Sequence, residues 1–270
     1  MQSIISLDNV CYQSGKRYLL KHIDWKIEKG EHWLVLGMNG SGKTSLLSII
    51  AGLLSPTSGN VSILGENFNK NNIFSLRKKV GLVSSSFFDK IYSKESALQI
   101  VLSGLTGSFN IDYGITETDV RYAKKLLRKM RVGDKMNQPF FTMSKGERQS
   151  VLIARAMITH PEILILDEPG TGLDVCARNH MMQMVRVLAE HNLVTVIYVT
   201  HYPEEIQGFM NKTILLKNGE IFCKGDTQNV LNSANMSSLF NERIEVEQTE
   251  EGKVIMEVYS HFNMKMDSWE

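Results

Sequence analysis

Apolar and polar residues alternate from Ile4 to Tyr12 and again from His22 to Glu28, with the turn-like stretch "SGKR" between them. A period of two with such a break predicts an antiparallel pair of strands. The next segment, "EHWLVLG", is apolar almost without interruption, as expected of a strand covered on both faces. A helical pattern opens directly after it at "GKTSLLSIIAGLL". Further buried strands are expected at Val80–Val83, Ile163–Leu166 and Val194–Val199. Between Phe87 and Phe141 strand signals disappear, and Leu98–Leu105 and Val120–Met130 carry helical spacing instead. The fold class is therefore α/β with a mostly parallel sheet, an N-terminal antiparallel β subdomain and a helical subdomain inserted at about 87–160. The tail "ERIEVEQTEEGKVIMEVYSHF" alternates around "EEGK", so a β-hairpin extension is expected in 241–270, after a main domain of 1–240.

Composition narrows the function classes. The chain has 270 residues, 43% of them hydrophobic, with 30 basic against 29 acidic residues and a net charge of +1. That balance gives no global field for nucleic acid. The helix "DVRYAKKLLRKMR" is rich in cations, but a solvated face is the simpler reading. Cys11, Cys176 and Cys223 have no metal-ligand or redox spacing, which fits a reducing, cytoplasmic compartment, and Cys176 is expected to be a small buried residue. "MQSIISLDNV" lacks the layout of a signal peptide. The longest apolar runs, such as Leu193 to Val199, fall far short of the ~20 residues of a membrane helix. Met181, Met182, Met184 and Trp33 read as packing residues.

Two segments carry chemistry. "GMNGSGKT", Gly37 to Thr44, has the spacing G-x-x-x-x-G-K-[ST] between a buried strand and a helix, the context of a phosphate-binding loop. Backbone N–H groups of Gly37, Met38, Asn39, Gly40, Ser41 and Gly42 could ring a phosphate, helped by the positive end of the helix that follows. Lys43 would reach the β- and γ-phosphates of ATP, Thr44 would bind Mg²⁺, and Ser45 completes the loop. The second segment, "ILILDEPGTGLD", is a buried strand ending in two acids. Asp167 would sit beside Mg²⁺ through water, and Glu168 would act as general base on the attacking water.

With these residues in place, roughly residues 3 to 230 resemble the ATPase subunit of an ATP-binding-cassette (ABC) transporter, near the branch of molybdate and iron-complex import ATPases. The resemblance implies a P-loop NTPase fold. It also implies a homodimer or heterodimer with another such subunit, a separate transmembrane permease, and a position on the cytoplasmic face of the membrane. "MSKGE", Met143 to Glu147, is similar to the family signature leucine-serine-glycine-glycine-glutamine. Ser144, Lys145, Gly146 and Glu147 would then cover the γ-phosphate held by the opposite subunit. His201 in "VTHYPEE" matches the switch histidine, and Asp174 in "TGLD" matches the loop linking the two sites. Tyr12, 25 residues before Gly37, matches the aromatic that stacks on adenine, with Tyr18 nearby as an alternative. The family places a glutamine after the strand "VGLV", whereas this chain reads "VGLVSSSFFDK" with Ser85 at that place. A serine reaches less far toward Mg²⁺, which leaves a soluble ATPase with a regulatory or assembly role as the rival to a transporter subunit.

Overall fold

The computed structural model describes residues 3–68, 72–84, 88, 94–106, 114–191, 193–249 and 253–259. The alternating N-terminal segments form β1 (Ser3–Ser14) and β2 (Arg17–Glu28), paired antiparallel. After β3 (Trp33–Gly37), the strands β4 (Ser58–Ile63) and β5 (Glu66–Asn67) complete that sheet in the order β2-β1-β4-β5. The large sheet combines β3 with β6 (Val80–Ser84), β7 (Ile163–Asp167), β8 (Thr195–Val199), β9 (Lys212–Lys217) and β10 (Glu220–Asp226). Its order is β10-β9-β3-β8-β7-β6, parallel except for β10, which pairs antiparallel with β9.

The near-continuous apolar strands feed two cores, one on each face of this sheet. Leu34 and Leu36 of β3, Leu164 and Leu166 of β7, and Val196 and Tyr198 of β8 join one core. The residues between them, Val35, Ile165 and Ile197, join the other with α1 (Lys43–Ile50) and the N-terminal strands. A strand buried on both sides has no polar face to show, which is why its sequence does not alternate.

The helices are α2 (Ile73–Lys79), α3 (Ala97–Ser103), α4 (Glu117–Lys129), α5 (Lys145–Met157), α6 (Val175–Glu190), α7 (Thr227–Val230) and α8 (Ser233–Phe240). Capping boxes begin three of them: Ser96 with Gln99 for α3, Thr116 with Asp119 for α4, and Ser144 with Glu147 for α5. On α4, Ala123, Leu126 and Leu127 turn inward, while Arg121, Lys125, Arg128 and Lys129 are solvated. Among the described residues no helix is long and apolar enough to cross a membrane. The tail forms β11 (Arg243–Gln248) and β12 (Val254–Tyr259), an antiparallel ribbon that docks Ile244 and Val254 into the main core.

The structure departs from the sequence pattern in several elements, helices α2, α7 and α8 among them. Strands β4, β5, β9 and β10 were not predicted; β9 and β10 turn at Asn218–Gly219, both with positive φ. Helix α1 ends at Ile50, short of the predicted "AGLL", because Gly52 takes φ 71° and carries the chain out of the helix. Cys176 is exposed, not buried, because the first turn of α6 faces outward and leaves Val175 81% exposed beside it.

Candidate nucleotide site

Strand β3 lies between β9 and β8 and delivers its last residue, Gly37, into the phosphate loop. A Cβ on Gly37 would lie 2.4 Å from the Leu216 carbonyl oxygen, so only glycine fits there. Gly42 has φ 104°, and a Cβ there would meet the Leu19 carbonyl of β2 at 2.7 Å. The loop is thus clamped between the two sheets. Met38, Asn39, Gly40 and Thr44 are exposed, Ser45 is half-buried, and Ser41 is buried with no described residue hydrogen bonding to its Oγ.

The Lys43 ammonium is folded back into the loop. It donates to the carbonyl oxygens of Gly37 at 2.8 Å and Met38 at 3.2 Å. Burial pulls its pKa down, against the opposing pull of Glu168 and Asp167. A buried cation whose hydrogen-bond acceptors among the described residues are carbonyl oxygens is a ready partner for phosphate oxygens, which carry full charge.

Strand β7 lies between β6 and β8, and the parallel register aligns Asp167 with Ser84 on one side and Val199 on the other. Asp167 is buried, and its Oδ2 accepts a hydrogen bond from Ser84 Oγ at 3.3 Å. Burial pushes its pKa up, and the neighbouring Glu168 pushes the same way; Ser84, Lys43 and His201 pull it back. Glu168 turns out of the strand at φ 50°, unusual for a residue with a side chain, and its N–H donates to the Val199 carbonyl at 3.1 Å. His201 follows β8, and its Nε2 meets Glu168 Oε1 at 2.8 Å.

A buried carboxylate with one hydroxyl partner and a disfavoured charge fits the outer shell of a hard divalent cation. Among the described residues no group of three or more His, Cys, Asp or Glu forms a metal cage. Ser85 lies outside the described residues.

Ser144 is the N-cap of α5; its Oγ accepts from the Glu147 N–H at 3.3 Å, and its own N–H donates to Glu147 Oε2 at 2.9 Å. The other Glu147 oxygen pairs with Lys135, which draws the carboxyl below its ordinary range. Lys145 runs against Gly172, and Gly146 against Ala177. Asp174 caps α6, accepting from the Ala177 N–H at 2.8 Å. Within one chain the structure thus forms two groups. Lys43, Asp167, Glu168 and His201 make one, and Ser144–Glu147 with Asp174 make the other. Tyr12 is half-buried on β1 opposite Leu20, while Tyr18, opposite Gln13, is half-exposed.

The family model described as ABC transporter matches residues 20–171. The chain belongs to the ABC transporter ATP-binding family. Among curated relatives of this family, the uncharacterized ABC transporter ATP-binding protein YlmA of Bacillus subtilis (strain 168) is 39% identical over 249 residues, covering 90% of this chain and 93% of its own. The molybdate import ATP-binding protein MolC of Haemophilus influenzae is 29% identical over 242 residues, covering 89% of each. Among solved structures, the ATP-binding cassette MJ0796, a dimer in a post-hydrolysis state bound to ADP and Pi, superposes with a TM-score of 0.72 at 28% identity. It covers 82% of this chain and 98% of that one. The protein is the ATP-binding and ATP-hydrolysing subunit of an ABC transporter, energising transport through a separate membrane protein.

Sequence reasoning missed several side chains around this ABC site. Ser84 lies in "VGLVSSSFFDK", but only the strand register shows that it faces Asp167. Tyr198, Thr200 and Glu205 form a buried polar cluster beside His201, and no local motif announces it. Lys135, the partner of Glu147, lies 12 residues upstream of it.

Proposed function

We propose that two such subunits, identical or paired with a related one, enclose ATP and Mg²⁺ between the phosphate loop of one and Ser144–Glu147 of the other. The likeness to a dimeric cassette bound to ADP and Pi supports the pairing, and the 2.8 Å contact between Glu168 and His201 at the ends of adjacent strands, beside the buried Lys43, supports hydrolysis at each loop. Lys43 and the N–H groups of Gly37–Ser45 bind the phosphates, while Tyr12 stacks on the base. Thr44 and, through water, Asp167 would hold Mg²⁺; Ser85, at the place of the family glutamine, lies outside the described residues. When bound, the cation withdraws charge from the phosphate oxygens. Glu168 accepts a proton from the attacking water, and His201 fixes the carboxylate and touches the γ-phosphate. Ser144 and the start of α5 supply donors from across the pair, and Asp174 links the two sites.

The subunit would work on the cytoplasmic face of the membrane against a permease, with no role for nucleic acid. The likeness to the molybdate-import and zinc-uptake relatives supports a role in import. Mixing two defective chains tests the paired arrangement. A Lys43→Ala chain and a Ser144→Arg chain each lose ATP occlusion alone. Mixed, they should regain one intact site, because the sound loop of one meets the sound signature of the other. No recovery on mixing would overturn the paired site.

A further inference from the structure

Glu205 is 1% exposed, which is rare for a carboxylate and costly unless the chain compensates it. It sits on a single helical turn, Pro203–Glu205, just after His201. Its Oε2 accepts from Thr200 Oγ1 at 2.5 Å and from the Tyr198 hydroxyl at 3.0 Å. Thr200 Oγ1 in turn accepts from the Tyr202 N–H at 2.9 Å, so both neighbours of His201 are tied to this cluster. The other oxygen, Oε1, has no hydrogen bond among the described residues and lies 3.3 Å from Arg178 Nε on α6. That guanidinium also binds Glu204 at 2.9 Å and lies over the Tyr202 ring at 4.4 Å.

Oε1 is also pressed against the segment leaving β7. A Cβ on Gly170 would lie 1.8 Å from it, so the carboxylate occupies the space a side chain would need. Gly170 is two residues beyond Glu168 and opens the stretch that runs to Asp174 and α6. One buried carboxylate therefore touches the segment that carries Glu168 and Asp174 and the segment that carries His201.

We propose that Glu205 is a positioning residue that locks the His201 segment to the Gly170–Asp174 loop, so that the Glu168–His201 contact forms only when that loop is in place. This rests on the reading that Glu168 and His201 flank the reacting phosphate, and it assigns the means by which the loop reaching toward the second site controls them. Burial raises the Glu205 pKa, against the pull of Thr200, Tyr198 and Arg178. A carboxyl held in this way serves shape and hydrogen bonding, which glutamine largely preserves.

The test uses the full-length subunit and steady-state ATP hydrolysis. Glu205→Ala should lower kcat at least tenfold with KM for ATP within about twofold, and Glu205→Gln should restore most of kcat. Gly170→Ala should give the same loss of kcat, since its methyl displaces the carboxylate. The double variant Gly170→Ala/Glu205→Ala should be no worse than Glu205→Ala alone, because removing the carboxylate makes room for the methyl. Multiplying losses in the double variant, an unchanged kcat in Glu205→Ala, or a KM effect alone would overturn the lock. His201→Ala and Glu168→Gln run as controls. Unimpaired hydrolysis in both would overturn the catalytic reading and the lock together; abolished hydrolysis in both with an intact Glu205→Ala would overturn the lock alone.

Discussion

Ser84 and Asp167 face each other across the parallel ladder of β6 and β7, hydroxyl to carboxylate at 3.3 Å. The contact favours the ionised acid, the form that a divalent cation requires. Ser84→Ala should push the Asp167 pKa higher and raise the Mg²⁺ concentration for half-maximal ATPase activity. A hydrogen bond worth about 1 kcal/mol corresponds to roughly fivefold. The effect should widen as pH falls toward the carboxylate range, and a Mg²⁺ titration at two pH values checks it.

The same carboxylate predicts a stability change of opposite sense to its functional one. Asp167 has a raised pKa in the folded chain, so the native state holds its proton more tightly than the unfolded state. Stability therefore falls as pH rises from the ordinary value of 3.8 to the raised folded value, and the penalty is complete above that. Asp167→Asn should melt above the wild type at pH 7 without nucleotide, and the gain should vanish near pH 4. Scanning calorimetry of both proteins decides it, while the variant should lose Mg²⁺-dependent activity.

Lys43→Ala removes the only side chain that satisfies the Gly37 and Met38 carbonyls in the described loop. ATP affinity should fall at least tenfold, as expected when a charge-assisted contact to phosphate is lost. Fluorescent-nucleotide titration measures this directly.

Glu168→Gln keeps the shape of the side chain and loses its basicity. Hydrolysis should fall by roughly 100-fold or more, the usual share of a general base. Binding should persist, and the ATP-bound pair should accumulate in light-scattering measurements. Turnover at the wild-type rate would remove Glu168 from that role.

Glu147 puts a negative charge in the signature segment where the family has glutamine, and Lys135 lies against it. Lys135→Ala should weaken ATP-driven pairing several-fold, because the bare carboxylate would repel the phosphate that the proposed pairing brings to it. Adding Glu147→Gln should restore pairing, since the amide needs no counter-charge. Analytical ultracentrifugation with Mg²⁺ and ATP compares the three chains.

The parts of this site visible in the sequence are those in which one contiguous stretch makes one structural unit. "GMNGSGKT" forms its own loop, and "ILILDE" is a strand with its acids at the end. The unseen parts depend on distant segments meeting. "VTHYPEE" shows two adjacent glutamates with nothing to separate them, yet Glu204 is exposed and Glu205 is buried. The turn that begins at Pro203 decides which one points inward, and Gly170 only makes sense once that is known. Strand β4, "SGNVSI", was missed because its first residues are those of a turn, and it becomes a strand by pairing with β1 along its length and with β5 at its end. The β9–β10 turn at Asn218–Gly219 is different, because that dipeptide is a hairpin signal in its own right.

The outward first turn of α6 gives the native chain an addressable thiol. Cys11 is buried and Cys223 half-buried, so a maleimide dye should react first at Cys176, two residues beyond Asp174. A fluorophore there would sit at the mouth of the loop that Glu205 grips, and closure around nucleotide could be followed by its emission without introducing any new residue.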